Sequence, residues 1–206
     1  MLPADHQAFL DRALPLLRAD PRLVGVAGAG SMISGTQDRY SDLDLVLVYA
    51  DETVHAVGQE RQRIAEGFAL LLAAFTGEHV GEPRLLICLY DAPLLHVDLK
   101  FVALEDLARR IEDPVVLWER DGALSARMRA SPAKHPMPDL QWIEDRFWVW
   151  VHYAAQRLGR GELFEVIDFL GFLRAPCSVP SPSSRMASCP EASGGWRRAP
   201  HVTSRR

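Results

Sequence analysis

Apolar and polar positions along this chain switch between a helical and a strand period, and the switches mark out its elements. Over residues 5–19, Phe9, Ala13, Leu16 and Leu17 recur at spacings of three and four, which predicts an amphipathic helix ending before Pro21, with Pro15 as a point of bending. Residues 22–27 read as a first strand and 43–50 as a second. The second is apolar on both faces over 43–48, as expected of a central strand covered on both sides. A helix is expected from 51 to about 75, packing Ile64, Phe68, Leu71, Leu72 and Phe75 onto the sheet. Two neighbouring antiparallel strands come next at 84–90 and 95–102, joined by the turn Asp91-Ala92-Pro93. A short helix at 104–111, a strand at 115–119 and a hairpin turn at Arg120-Asp121-Gly122 complete this half.

Prolines 132, 136 and 138 then interrupt the pattern and place a domain boundary. Residues 139–158 predict a strongly amphipathic helix rich in aromatics, among them Trp142, Phe147, Trp148, Trp150 and Tyr153. The turn Gly159-Arg160-Gly161 leads to a second helix over 162–173. From 174 onward prolines and serines replace any apolar period, so residues 174–206 read as a disordered tail unrelated to the helices before it. The expected architecture is α/β (α+β): a mixed-sheet domain over 1–131 with flanking helices, and a partial helical domain over 139–173.

Composition changes this picture little. The 206 residues are 48% hydrophobic and 24% charged, ordinary globular values, and no apolar run approaches the roughly 20 residues that span a bilayer. A cytoplasmic protein is expected. Cys88, Cys177 and Cys189 lie too far apart for a C-x-x-C pair, which suggests neither a disulfide framework nor a zinc site. Charge is more informative: residues 175–206 hold five arginines against Glu191, so residues 1–174 carry −8 within a chain of −4. That balance disfavours nucleic acid as a partner.

The candidate chemistry is concentrated in two stretches. In the first, Gly28, Gly30 and Ser31 come after an apolar run, where glycine lets the backbone turn tightly and approach a ligand, and a helix start offers free amides to phosphate. Ser31 in that position is also a plain helix cap. Ten residues later come Asp42 and Asp44, which as i and i+2 on a strand point to one face about 6.5–7 Å apart. Such a pair resists ionising unless a cation neutralises it, although acidic pairs at solvated strand ends are common. In the second stretch, Leu95, Val97, Leu99 and Phe101 alternate with His96, Asp98 and Lys100, so Asp98 points away from the packed face. If the two strands are neighbours, Asp42, Asp44 and Asp98 converge and suit divalent cations. A structural ion pair to Lys100 or an arginine is the alternative for Asp98. His96 and Lys100 share its face and meet either a ligand or solvent. Glu144 and Asp145 are candidates for a general base, or acids favoured by a helix N-terminus.

Gly30-Ser31, the ten-residue spacer, Asp42-Leu43-Asp44-Leu45 and Val97-Asp98-Leu99 together resemble the signature of the nucleotidyltransferase superfamily related to DNA polymerase beta. The closest likeness is to the small bacterial aminoglycoside and lincosamide nucleotidyltransferases. The resemblance implies transfer of a nucleoside monophosphate from a nucleoside triphosphate, ATP by expectation, to a hydroxyl of a small-molecule acceptor, with release of pyrophosphate. It implies catalytic and metal-binding roles for Asp42, Asp44 and Asp98, two Mg²⁺ ions, and phosphate binding by Gly30 and Ser31. An antitoxin-like enzyme acting on a protein hydroxyl is a variant of this reading. A non-catalytic nucleotide-binding or interaction protein is its alternative, because an incomplete helical domain leaves the acceptor side unfinished.

Overall fold

The computed structural model describes residues 2–135, 137 and 139–177, in two compact units that divide between 136 and 137. The first unit is a mixed α/β domain built on one six-stranded sheet. In chain order its elements are α1 (Ala4–Ala19), β1 (Leu23–Gly28), α2 (Ser31–Ser34), β2 (Leu43–Tyr49), α3 (Val54–Glu66), β3 (Leu71–Gly77), β4 (Glu82–Tyr90), β5 (Leu95–Ala103), β6 (Val115–Glu119) and α4 (Ala123–Ala130), with short 3₁₀ turns at Glu78–Val80 and Leu104–Arg109. The strands lie in the order β3-β4-β5-β2-β1-β6. Only β2 and β5 pair in parallel; the other neighbours run antiparallel.

Alternation along β2 and β5 divides the molecule into two layers. Leu43, Leu45, Leu47 and Tyr49, with Val97, Leu99 and Phe101, face α1 and α3 and form a core with Phe9, Leu17, Phe68 and Tyr90. Phe9 meets the rings of both Phe68 and Tyr90, at 6.0 and 4.9 Å between centroids. The opposite face of the sheet carries a second, smaller core toward the C-terminal half of β2. There Val48 and Val102 pack with Leu107 and the fully buried Leu124 of α4. Toward the N-terminal ends of β2 and β5 that face carries Asp44 and Asp98, both half-buried, with the turn at Gly30 packed on Asp44.

Several expectations hold: α1 ends at Ala19, before Pro21, and β4 and β5 form the antiparallel pair. Others do not. The helix expected over 51–75 stops at Glu66, capped by Gly67, and its last part is the edge strand β3. Leu71, Leu72 and Phe75 have helical spacing by accident, because an edge strand exposed on both faces shows no alternation; Leu72 and Phe75 are 50% and 54% exposed. The helix expected at 104–111 is a 3₁₀ turn, Leu104–Arg109. Asp121 and Gly122 take positive φ, as a hairpin turn would, yet the chain leaves them into α4 rather than another strand.

In its described residues the second unit holds α5 (Leu140–Gly159) and α6 (Leu163–Cys177). Asp139 caps α5, its carboxylate accepting from the Trp142 amide at 2.9 Å. The two helices meet through Trp150 and Phe172, whose rings are edge to face at 5.3 Å. No residue of α5 is buried, and Trp148 and Phe164 are 73% and 82% exposed. Helix α6 continues past the expected end at 173, and the expected tail lies otherwise outside the described residues. No described helix is long and apolar enough to cross a membrane.

One packing contact fixes how α4 sits on the sheet. A Cβ added to Gly25 in β1 would lie 2.3 Å from Leu124 Cδ1, so α4 approaches the strand as closely as a glycine permits. Leu124→Ala is expected to cost about 2–5 kcal/mol and Gly25→Ala about 1–3 kcal/mol in urea denaturation. The double variant should cost clearly less than the sum, since the new methyl occupies the vacated space; strict additivity would show that the contact is not a tight one.

Candidate metal centre

The parallel register of β2 against β5 sets Asp44 opposite Asp98, so adjacent strands present their carboxylates side by side on one face. Asp42 joins them one strand repeat before Asp44. One carboxylate oxygen from each of the three lies within 4.8 Å of the others, all three residues half-buried. The loop that delivers Asp42 is held at both ends. Asp38 caps its turn, accepting from the Tyr40 amide at 2.9 Å and from the Ser41 hydroxyl at 3.1 Å. His6, buried in α1, donates from Nε2 to the Ser41 carbonyl at 2.8 Å.

The glycine turn closes on this cluster from the β1 side. Ala29 N–H donates to the Asp44 carbonyl at 3.0 Å. Gly30 has φ of 56°, and a Cβ there would come within 2.0 Å of Asp44 Oδ2. Both facts demand glycine, one for conformation and one for space. Ser31 opens α2, and its hydroxyl is shielded from solvent without a hydrogen-bond partner among the described residues. A shielded polar group left unpaired is uncommon and calls for a partner, whether water, ion or ligand.

Electrostatics agree with the geometry. Burial pushes the Asp44 carboxyl up to about 6, and the charges of Asp42 and Asp98 push the same way. Asp98 is raised too, chiefly by burial, with Asp42 adding to it and His96 opposing. The nearest cation is weak: His96 Nε2 lies 3.0 Å from Asp98 Oδ1, a contact that carries charge only when the ring is protonated. Lys100 does not pair with Asp98; its ammonium sits 2.7 Å from Glu82. Three hard oxygen donors, close together and with no lysine or arginine ion pair among the described residues, could hold a divalent ion.

The structure thus brings Asp42, Asp44, Asp98, Gly30 and Ser31 into one place. Glu144 and Asp145 lie on exposed turns of α5 in the second unit, where Asp145 accepts from Gln141 at 2.8 Å. Two neighbours of the site had no signal in the sequence. His6 sits on the apolar stripe of α1, where histidine usually means core. Glu112 lies in an exposed loop, yet its charge also contributes to the upward shift of Asp44. No family model matches the chain, and no curated protein matches it.

The raised carboxyl of Asp44 has a measurable consequence. A group at about 6 in the fold against 3.8 in an unfolded chain holds its proton more tightly when folded. Its contribution therefore favours the fold below about pH 4 and is lost as pH rises through about 6. In metal-free buffer at pH 7.5, Asp44→Asn should melt at a higher temperature than the wild type. The gap should shrink as pH falls toward 5, and Mg²⁺ should raise the wild type alone. A lower melting temperature for Asp44→Asn at pH 7.5 without metal would contradict the repulsion.

Proposed function

We propose that the protein is a divalent-metal-dependent nucleotidyltransferase, moving a nucleoside monophosphate from a nucleoside triphosphate such as ATP to the hydroxyl of a small molecule. The observation that carries this reading is the triad of Asp42, Asp44 and Asp98 beside a glycine turn that packs directly on Asp44. The residues fit the ions expected of such an enzyme. Asp42, Asp44 and Asp98 would hold them. Bound there, the metal would supply charge neutralisation at the phosphates undergoing in-line displacement.

The remaining roles fall to the chain itself. Gly30 would allow the backbone of the turn to approach the terminal phosphates, and the Ser31 hydroxyl, without a partner among the described residues, would donate to them. Asp98, 3.0 Å from His96, would accept the proton of the acceptor hydroxyl. The sheet domain then corresponds to the catalytic core of such enzymes, and α5 with α6 to the start of a helical domain. The −8 of residues 1–174 supports a small-molecule acceptor over nucleic acid. A second reading, nucleotide binding without transfer, draws on the exposed aromatics of α5 and α6, which suit an interaction module.

Calorimetry with ATP and Mg²⁺, then pyrophosphate release against a panel of hydroxyl compounds, tests both. Asp42→Asn and Asp98→Asn should each lower transfer about a hundredfold or more, since even residues that merely orient metal ligands cost 10–100-fold. Gly30→Val should block nucleotide binding more severely than Ser31→Ala, which removes one hydrogen bond of about 0.5–1.5 kcal/mol. Unchanged ATP affinity in Gly30→Val would refute the phosphate role. Binding without pyrophosphate release would favour the second reading.

A further inference from the structure

Asp44 and Asp98 are placed by the ladder of the sheet, where the parallel pairing of β2 with β5 sets them opposite each other. Asp42 is not. That pairing begins at Leu43 with Val97, so the third carboxylate belongs to the loop between α2 and β2, in which residues 34–36 and 38–40 are exposed. Strand pairing fixes two members of the triad, and something else has to fix the third.

The hydrogen bonds inside this loop give it shape rather than place. The Ser41 amide donates to the Asp38 carbonyl at 3.2 Å, and the Ser41 hydroxyl donates to the Asp38 carboxylate and accepts from the Asp38 amide, each at 3.1 Å. These join residues three apart. The bond from His6 Nε2 to the Ser41 carbonyl, at 2.8 Å, spans 35 residues and ends on the peptide group that leads into Asp42. A carbonyl can only accept, so Nε2 carries the hydrogen, and in the neutral ring Nδ1 is left as an acceptor. Nδ1 is shielded from solvent and has no hydrogen-bond partner among the described residues. His6 is 1% exposed, on the stripe of α1 that also buries Phe9, Leu10, Ala13 and Leu17. An imidazole with one nitrogen unsatisfied serves such a stripe less well than an apolar side chain, so packing does not account for it and the bond to Ser41 does.

We propose that His6 is a positioning residue of the metal centre: through the Ser41 carbonyl it holds Asp42 against Asp44 and Asp98, and so sets the affinity of the triad for a divalent cation. The proposal rests on the reading of the triad as a cation site. It makes the centre depend on α1, which packs on the face of the sheet opposite the carboxylates. His6 takes no part in the chemistry itself.

Three variants of the full chain separate the bond from the volume and polarity of the ring. The terminal amide of His6→Gln reaches as many bonds from Cβ as Nε2 does and can donate to the Ser41 carbonyl. That of His6→Asn is one bond too short, and His6→Leu has no donor. In metal-free buffer, hydrogen exchange of the Tyr40 and Ser41 amides should quicken about fivefold in His6→Asn and His6→Leu, the worth of one hydrogen bond, and stay near the wild-type rate in His6→Gln. Calorimetric titration with Mn²⁺ should show affinity lowered about tenfold in the same two variants, as for other residues that orient metal ligands, and kept in His6→Gln. His6→Gln against His6→Asn decides the matter even if His6→Leu fails to fold. Wild-type exchange and Mn²⁺ affinity in His6→Asn overturn the proposal, and so does a His6→Gln no better than His6→Asn. A loosened loop with unchanged Mn²⁺ affinity overturns it as well. Failure of the triad reading is separate and visible first, as a wild type that takes up no Mn²⁺.

Discussion

The parallel pairing of β2 with β5 sets two aspartates directly opposite each other, and much of the surrounding structure serves to hold that juxtaposition against its own repulsion. Both strands are anchored by the faces they turn away from the carboxylates, where Leu43, Leu45, Leu47, Val97 and Leu99 are buried under α1 and α3. Hydrophobic burial on one face fixes the register, and a slip of one residue would turn the whole carboxylate set into the core. The unfavourable electrostatics on the other face are thereby imposed rather than relaxed, which is how a site stores affinity for a cation.

The flanking loops extend the same logic. Gly30 approaches Asp44 so closely that no side chain fits between them, and His6 reaches from α1 to fix the loop that carries Asp42. The site is thus assembled from the sheet, the helix beneath it and the turn above it.

That assembly also decides how much of the molecule was legible in the sequence. Strict alternation in residues 95–101, and the i, i+2 spacing of Asp42 and Asp44, were enough to set Asp42 with Asp44 and to turn Asp98 away from the packed face, because a strand buried on one side writes its orientation into every second residue; that the two strands are parallel neighbours came only with the fold. Strand β3 was illegible for the converse reason: as an edge strand it is exposed on both faces, so its apolar residues carry no period. Gly122 signalled a turn, but a turn residue does not encode whether a strand or a helix comes after it, and here it is α4. His6 and Glu112 depend on contacts or fields across 35 or more residues of chain, and a histidine or an acid bears no local mark of such a partner.

Whether Asp42, Asp44 and Asp98 act together as one divalent-cation site is tested most directly by titrating Mn²⁺ into the protein at pH 7.5 and monitoring the free-ion electron paramagnetic resonance signal. A shared site predicts that the wild type depletes the signal, that Mg²⁺ restores it by competition, and that Asp42→Asn and Asp98→Asn each lose most of the binding while remaining folded. Equal depletion by the wild type and both variants would contradict it.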